Sequence, residues 1–317
     1  MKQIFKTMAC MIAYAALICC SPKGAGSGHA GASWKIIPSP VSADLDFIHF
    51  TGNETGYASG AKGTILKTID AGTTWLKQRS GVDIELGVGC FLNEETGFVG
   101  GLNTILRTAN GGETWERAIT SPAGDFFGMA FSDSVTGFVV NANGEIYQTT
   151  DAGLNWRKTN SPSADVRKIY FYNKLTGFLT GLSGKVFKTT NGGKTWVSLS
   201  PEKTADKTFT DIIFVNIHTG FLSDHEGTIY KTNNAGSSWV KQTTGLSTAI
   251  RSLHFLNSDF GIATGDNGNI IMTRNGGTDW VKQTSGTDQL INCVNVVSPE
   301  NAYAAAWGAV ILKYSAD

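Results

Sequence analysis

The chain has 317 residues, with 26 Lys and Arg balanced by 26 Asp and Glu, so its formal net charge is zero. That balance excludes the basic excess of an ordinary nucleic-acid binder and gives no electrostatic reason to expect attraction to acidic membranes. Glycine supplies 38 residues and proline only 7 without a collagen period, a composition of many tight turns.

At the amino terminus, Lys2 and Lys6 precede an uncharged, mostly apolar run of 13 residues, Thr7 to Cys19. A helix that crosses a bilayer needs about 20 residues, so this run reads as the core of a signal peptide. It ends Leu17-Ile18-Cys19-Cys20, which resembles the lipobox of bacterial lipoproteins, with Cys19 where Ala, Gly or Ser is usual. The resemblance implies a signal peptide over residues 1–19, cleavage before Cys20, diacylglycerol on the Cys20 thiol, and, from Ser21, sorting to the outer membrane of the cell envelope. Residues 20–32 are small, polar and glycine-rich; they cannot bury a core and are expected to form a flexible tether. Only Cys90 and Cys293 remain in the body, without metal-ligand spacing, so neither a structural metal nor a cofactor is expected.

Residues 33–317 are organised by an octapeptide. It is written TIDAGTTW at Thr68–Trp75 and returns at Thr108–Trp115, Thr149–Trp156, Thr189–Trp196, Thr232–Trp239 and Thr273–Trp280, its tryptophans 40, 41, 40, 43 and 41 residues apart. A near-constant period of this length marks a repeat architecture. Each unit reads as four short strands: an alternating run such as DFIHF from Asp46, a run such as GYASG from Gly56, one such as TILKT from Thr64, and a last strand opened by the tryptophan. The third run is apolar at successive positions (Ile65, Leu66), which predicts a sheet covered on both faces, and radial stacking of sheets provides that cover. Trp34, 41 residues before Trp75, opens a lone fourth strand, while the carboxy-terminal runs from Leu290, Asn301 and Gly308 supply three strands without a tryptophan. The fragments sum to one blade. The prediction is an all-β, seven-bladed β-propeller closed by the amino-terminal strand joining the last three.

The octapeptide resembles the Asp-box, or BNR repeat, of sialidases, sortilin-type receptors, xyloglucanases and photosystem II stability and assembly factors. Uniform spacing without large insertions is most similar to the last group and its bacterial relatives. Asp stands in the box only at Asp70 and Asp151; Asn110, Asn191, Asn234 and Asn275 replace it. Asn caps a turn as Asp does but is neither an acid nor a strong metal ligand, so the boxes read as scaffold. The basic residue of the third strand (Lys67, Arg107, Lys188, Lys231, Lys313) is broken by Gln148 and Met272, and reads as stems covering apolar sheet with heads in water.

Function is expected where the repeats disagree. Propellers of this type commonly bind at the rim formed by the starts of the innermost strands and the turns between strands two and three. The innermost starts align as Asp46, Gly87, Phe127, Arg167, Thr210, Arg251 and Asn292. Blades five to seven place Asp224, His225, Glu226, Arg251, Asp266 and Trp307 on one sector, with Arg167 beside them. Two arginines suit a carboxylate or acidic peptide, a tryptophan suits an interface, and a histidine between carboxylates suits proton transfer. A hydrolase of the sialidase or xyloglucanase kind is the alternative, but only two arginines reach the rim and no second propeller exists to form a cleft. No nucleic acid is expected. The expected partner is a protein or peptide, with a glycan as the alternative ligand, bound by a propeller held to the membrane through its lipid.

Overall fold

The computed structural model describes residues 32–315 except 121 and 202; the expected signal peptide, Cys20 and all but the last tether residue lie outside the described residues. Seven four-stranded antiparallel sheets follow one another around a ring. Their innermost strands are Leu45–Phe50, Val88–Phe91, Phe126–Phe131, Val166–Phe171, Phe209–Phe214, Ile250–Phe255 and Ile291–Ser298. Among the described residues no helix is long and apolar enough to cross a membrane.

The second strands are buried end to end, as at Gly56–Gly60, Gly137–Asn141 and Gly220–Asp224. A sheet wetted on one face would alternate in exposure. These do not, because each face packs on the neighbouring blade. The seventh blade is composite as predicted: Ser33–Ile37 pairs antiparallel with Val310–Ser315, in a register that sets Trp34 opposite Tyr314. The first and last described strands thus hold each other by a hydrogen-bonded ladder, which closes the ring.

Six of the seven seams between the described blades repeat one device; the seam between blades six and seven, with Ile262 at the second-strand position, does not. An aromatic on the second strand of one blade stacks on the phenylalanine ending the innermost strand of the next: Tyr57 on Phe91 at 4.0 Å between centroids, Phe178 on Phe214 at 3.8 Å and Tyr303 on Phe50 at 3.7 Å. The next blade's tryptophan meets that phenylalanine edge-on, as with Trp115 on Phe91 at 6.1 Å and Trp75 on Phe50 at 5.9 Å. Offset and edge-on contacts of this kind add about 0.5–1.5 kcal/mol beyond area burial.

A polar latch accompanies the stack. Lys67 Nζ donates to Gly111 O (2.7 Å), Arg107 Nε to Ala152 O (3.0 Å), Lys188 Nζ to Ala235 O (3.2 Å), Lys231 Nζ to Gly276 O (2.7 Å) and Lys313 Nζ to Ala71 O (2.8 Å). Each acceptor is the fourth residue of the next blade's octapeptide. The sequence reading of these cations as heads in water is therefore corrected: the stems do cross apolar sheet, with Lys231 Nζ 5.5 Å from the Phe221 ring centre, but the heads tie one blade to the next. Single-repeat reasoning missed this because the acceptor lies about forty-five residues downstream.

The octapeptide turns explain their own variation. In the first, Thr74 N donates to Asp70 Oδ1 (2.9 Å), Thr74 Oγ1 to Asp70 Oδ2 (2.6 Å) and Gly72 N to Thr68 Oγ1 (3.0 Å). Asn110 keeps the capping oxygen, accepting from Thr114 N (3.0 Å), and turns its amide donor on Thr114 Oγ1 (3.0 Å). Where the second partner is an acid, the box residue is the donor, and Asn275 Nδ2 meets Asp279 Oδ2 at 2.8 Å. The fifth turn residue is glycine in all six copies, and Gly153 (φ +80°) shows why: a Cβ there would penetrate the Phe98 ring.

Two faces follow from this wiring. The innermost strands start on what we term the upper face. Their ends, the turns between strands one and two, and the octapeptide turns all lie on the lower face, linked by bonds such as Ala152 N to Val135 O (2.9 Å) and Gly192 N to Leu175 O (2.9 Å).

Candidate functional site

The upper mouth of the central channel is built from equivalent positions of the repeat. In six of the seven blades the residue before the apolar opener of the innermost strand presents its carbonyl to the turn between strands two and three. Ala61 N thus bonds Asp44 O, Ala142 N bonds Asp125 O, Leu182 N bonds Asp165 O, His225 N bonds Thr208 O and Trp307 N bonds Leu290 O, at 2.8–3.1 Å. This backbone collar fixes the rim, so side chains at its positions vary without cost to the fold.

Inside the collar lies a cavity of about 340 Å³. All seven innermost-strand starts named from the sequence line it: Asp46, Gly87, Phe127, Arg167, Thr210, Arg251 and Asn292. Its charge is divided. Asp46, Glu85 and Asp125 stand on the side of blades one to three; Arg167, Lys168, Arg251 and His225 stand on the side of blades four to six. Phe127, 43% exposed, lies beside the acidic group, while Phe126 behind it is buried in the seam between blades two and three.

The acidic side is held under tension. Burial raises the Asp46 carboxyl above its ordinary range, against the hydrogen bonds that favour its charged form. Those bonds come from Asn292 Nδ2 (2.6 Å) and Trp307 Nε1 (3.1 Å), both to Asp46 Oδ1. Glu85 is also raised, by burial first and then by Asp46, Asp125 and Asp44. Partial desolvation of like charges favours a ligand that brings a compensating cation.

The basic side is pre-organised. Arg167 Nη1 donates to Ala164 O (2.7 Å) and Val166 O (2.8 Å), which anchors the guanidinium on its own loop, and burial lowers its pKa. Arg251 is held on Asp266 through Nε–Oδ1 at 2.8 Å and Nη2–Oδ2 at 3.3 Å. His225 is lowered below its ordinary range by burial and then by the nearby Arg251 charge, which favours a neutral ring at neutral pH.

The seven residues singled out in the sequence therefore divide. Arg167, His225 and Arg251 come together on the cavity wall. Asp266 orients Arg251, and Trp307, 44% exposed, orients Asp46 from the rim. Glu226 turns aside to Lys207 Nζ at 2.8 Å. Asp224 is fully buried, and its carboxylate accepts from Glu226 N (2.9 Å), Thr228 N (2.8 Å) and Tyr230 Oη (3.3 Å), which makes it the cap of its own turn. Among the described residues no cluster of His, Cys, Asp or Glu has the makings of a metal site.

Sequence reasoning missed Glu85 and Asp125. Their signal was periodic: the position before the apolar opener is Asp44, Glu85, Asp125 and Asp165 in blades one to four, then Thr208, Ala249 and Leu290. Aligning repeats on the aromatic at the far end of the strand left that position outside the comparison.

Two solved structures of YCF48 share the architecture. One, described as YCF48 bound to D1 peptide, superposes with a TM-score of 0.75 at 18% identity over 90% of this chain and 97% of that one. The other, YCF48 from Cyanidioschyzon merolae, gives 0.74 at 18% identity over 90% and 99%. A xyloglucanase from Xanthomonas campestris gives 0.68 at 11% identity over 88% of this chain and 53% of that chain. At such identities the superpositions establish the fold alone. No curated protein matches the chain by sequence. Residues 27–124 and 121–311 match the family described as Photosynthesis system II assembly factor YCF48, and with most of its length covered the chain belongs to that family.

Proposed function

We propose that this chain is a peptide-binding propeller that serves as an assembly factor, holding a segment of a client protein at the upper mouth of its channel. The observation that carries the reading is the divided cavity, with Asp46, Glu85 and Asp125 facing Arg167, Lys168 and Arg251 across about 340 Å³. Membership of the assembly-factor family and the likeness to a propeller described as bound to a peptide support it. A peptide that carries both signs of charge compensates both walls, and Phe127 offers an apolar ledge between them. Arginines already fixed by carbonyls or a carboxylate lose little freedom on binding, so more of the interaction energy appears as affinity. The client named for that similar structure belongs to that protein; the chemistry of this mouth specifies a mixed-charge segment.

As part of the same proposal, the amino-terminal sequence assigns the propeller to the cell envelope, tethered through a lipid on Cys20. The test of the binding site is recovery of client proteins from solubilised envelope membranes with wild type and with Arg167→Ala/Arg251→Ala/Trp307→Ala. Loss of the wild-type partners supports the site. Unchanged recovery by a variant that melts like wild type removes it.

A further inference from the structure

The lower face, opposite the client cavity, is strongly asymmetric. Its turns in blades one and two carry Glu54, Asp70, Glu94, Glu95 and Glu113 and no cation. The corresponding turns of blades four and five, residues 172–176, 190–195, 215–219 and 233–238, contain no carboxylate. They present instead Tyr172 (37% exposed), Leu175 (56%) and Ile217 (50%), together with the exposed Lys174 and Lys194. Val135 and Leu154 carry apolar tips into blade three, whose turns also hold Asp151 and Asp133, the latter paired with Lys174 Nζ at 3.1 Å.

These side chains are not seam residues left partly open. The seams close with the aromatic stacks beneath them, Phe138 on Phe171 at 4.6 Å and Phe178 on Phe214 at 3.8 Å, so the turn residues add nothing to the core. Tyrosine and aliphatic tips interleaved with lysines form the composition that settles at a bilayer interface, with rings and chains at headgroup level and ammonium groups on anionic lipid.

The path of the chain points to the same occupant. Ser33 opens the fourth strand of the composite blade and pairs with Ser315 at the lower end of the third. The described chain therefore enters the ring at its lower face, the face that bears the apolar sector.

We propose that blades four and five of the lower face seat on an anionic lipid surface through Tyr172, Leu175 and Ile217, with Lys194 on the headgroups and Lys174, paired with Asp133 at 3.1 Å, beside them. The acidic blades one and two then tilt away from the membrane, and the cavity opens toward the aqueous side, away from the lipid by the length of the innermost strands, roughly 20 Å for six residues at about 3.3 Å each. Seating through this surface is separate from the tether at Cys20 and from client binding.

The test uses a chain beginning at Gly31, which retains all seven sheets and the pairing that closes the ring. It is floated with vesicles of phosphatidylethanolamine and phosphatidylglycerol, and with vesicles of phosphatidylcholine alone. The expected result is flotation with the anionic vesicles, weakened by salt, and reduced roughly tenfold or more by Tyr172→Ser/Leu175→Ser/Ile217→Ser. The control Val240→Ser/Val281→Ser, two exposed apolar positions on outer strands, floats like wild type. Equal flotation of the triple variant, or no flotation of wild type, overturns the proposal. Formation of a wild-type dimer that the triple variant abolishes, without flotation, also overturns it and assigns the patch to self-association.

Discussion

The inter-blade latch makes a two-sided prediction. Five seams carry a Lys or Arg from the third strand to the next octapeptide carbonyl, and Lys231 is the clearest case, 2.7 Å from Gly276 O with the Phe221 ring beneath it. Lys231→Met keeps most of the stem and removes the ammonium. A hydrogen bond from a charged donor contributes about 1.5–3 kcal/mol and an exposed cation–π contact about 0.5–1 kcal/mol. Solvent contact of the ammonium, the freed side-chain entropy and the thioether's own contact with the ring reduce this to about 1–2 kcal/mol net. At about 2.1 cal/mol/K per residue over a ring of this size, the melting temperature falls by about 2–4 °C. Gln148 is the reverse case. It replaces the cation at the seam between blades three and four, and an open cleft lined by Gln148, Lys158 and Gly193 lies there. Gln148→Lys restores a donor opposite the equivalent carbonyl of Gly192, and the expected outcome is a rise of about 2 °C. Paired thermal melts by calorimetry check both. An unchanged melting temperature for Lys231→Met, or a lower one for Gln148→Lys, refutes the latch as a stabilising contact.

Three further outcomes follow from the same geometry. His49 stacks on Phe91 of the next blade (6.0 Å) and His254 accepts from Val296 N (3.2 Å), and burial holds both near pKa 4, so each ring stays neutral in the fold and takes up a proton on unfolding below about pH 6.5. Their stabilising contribution is complete above that value and is lost as pH falls through about 4, roughly 3 kcal/mol per ring at 1.36 kcal/mol per unit. His49→Phe/His254→Asn flattens the pH dependence of unfolding in urea between pH 6.5 and 4, and an unaltered slope contradicts the assignment. Glycine positions in the octapeptide differ in cost. Gly111→Ala enters a conformation that Ala71, Ala152 and Ala235 already occupy and costs about 1 kcal/mol, whereas Gly153→Ala drives a methyl into Phe98 and costs about 3 kcal/mol or more by equilibrium unfolding. At the amino terminus, radiolabelled palmitate is incorporated in cells and is lost in Cys20→Ser; incorporation that persists contradicts the lipidation site.

The scaffold was legible because it is written six times. The octapeptide, the doubly apolar third strand and the orphan Trp34 defined blade number, covered sheets and ring closure, and the Asp70/Asn110 exchange already identified a cap rather than an acid. The site was only half legible. Arg167, His225 and Arg251 stood out because the repeats disagree there, but Glu85 and Asp125 did so only when aligned from the strand's opening end. Asp224 and Glu226 look like exposed turn acids in sequence. Their partners Thr228, Tyr230 and Lys207 show that one caps its turn and the other neutralises a neighbouring loop. Nothing in a single repeat reveals which polar residue bonds its own turn and which faces a ligand, because that depends on the neighbouring chain.

The central claim is that a client occupies the upper mouth. Its most direct test is a photo-crosslinking residue placed at Phe127, on the cavity wall, and at Val281, on an outer strand, in cells. A discrete crosslinked client is expected from position 127, absent from position 281 and lost when Arg167→Ala/Arg251→Ala is added. Equal crosslinking from both positions, or a position-127 product indifferent to the two arginines, contradicts it.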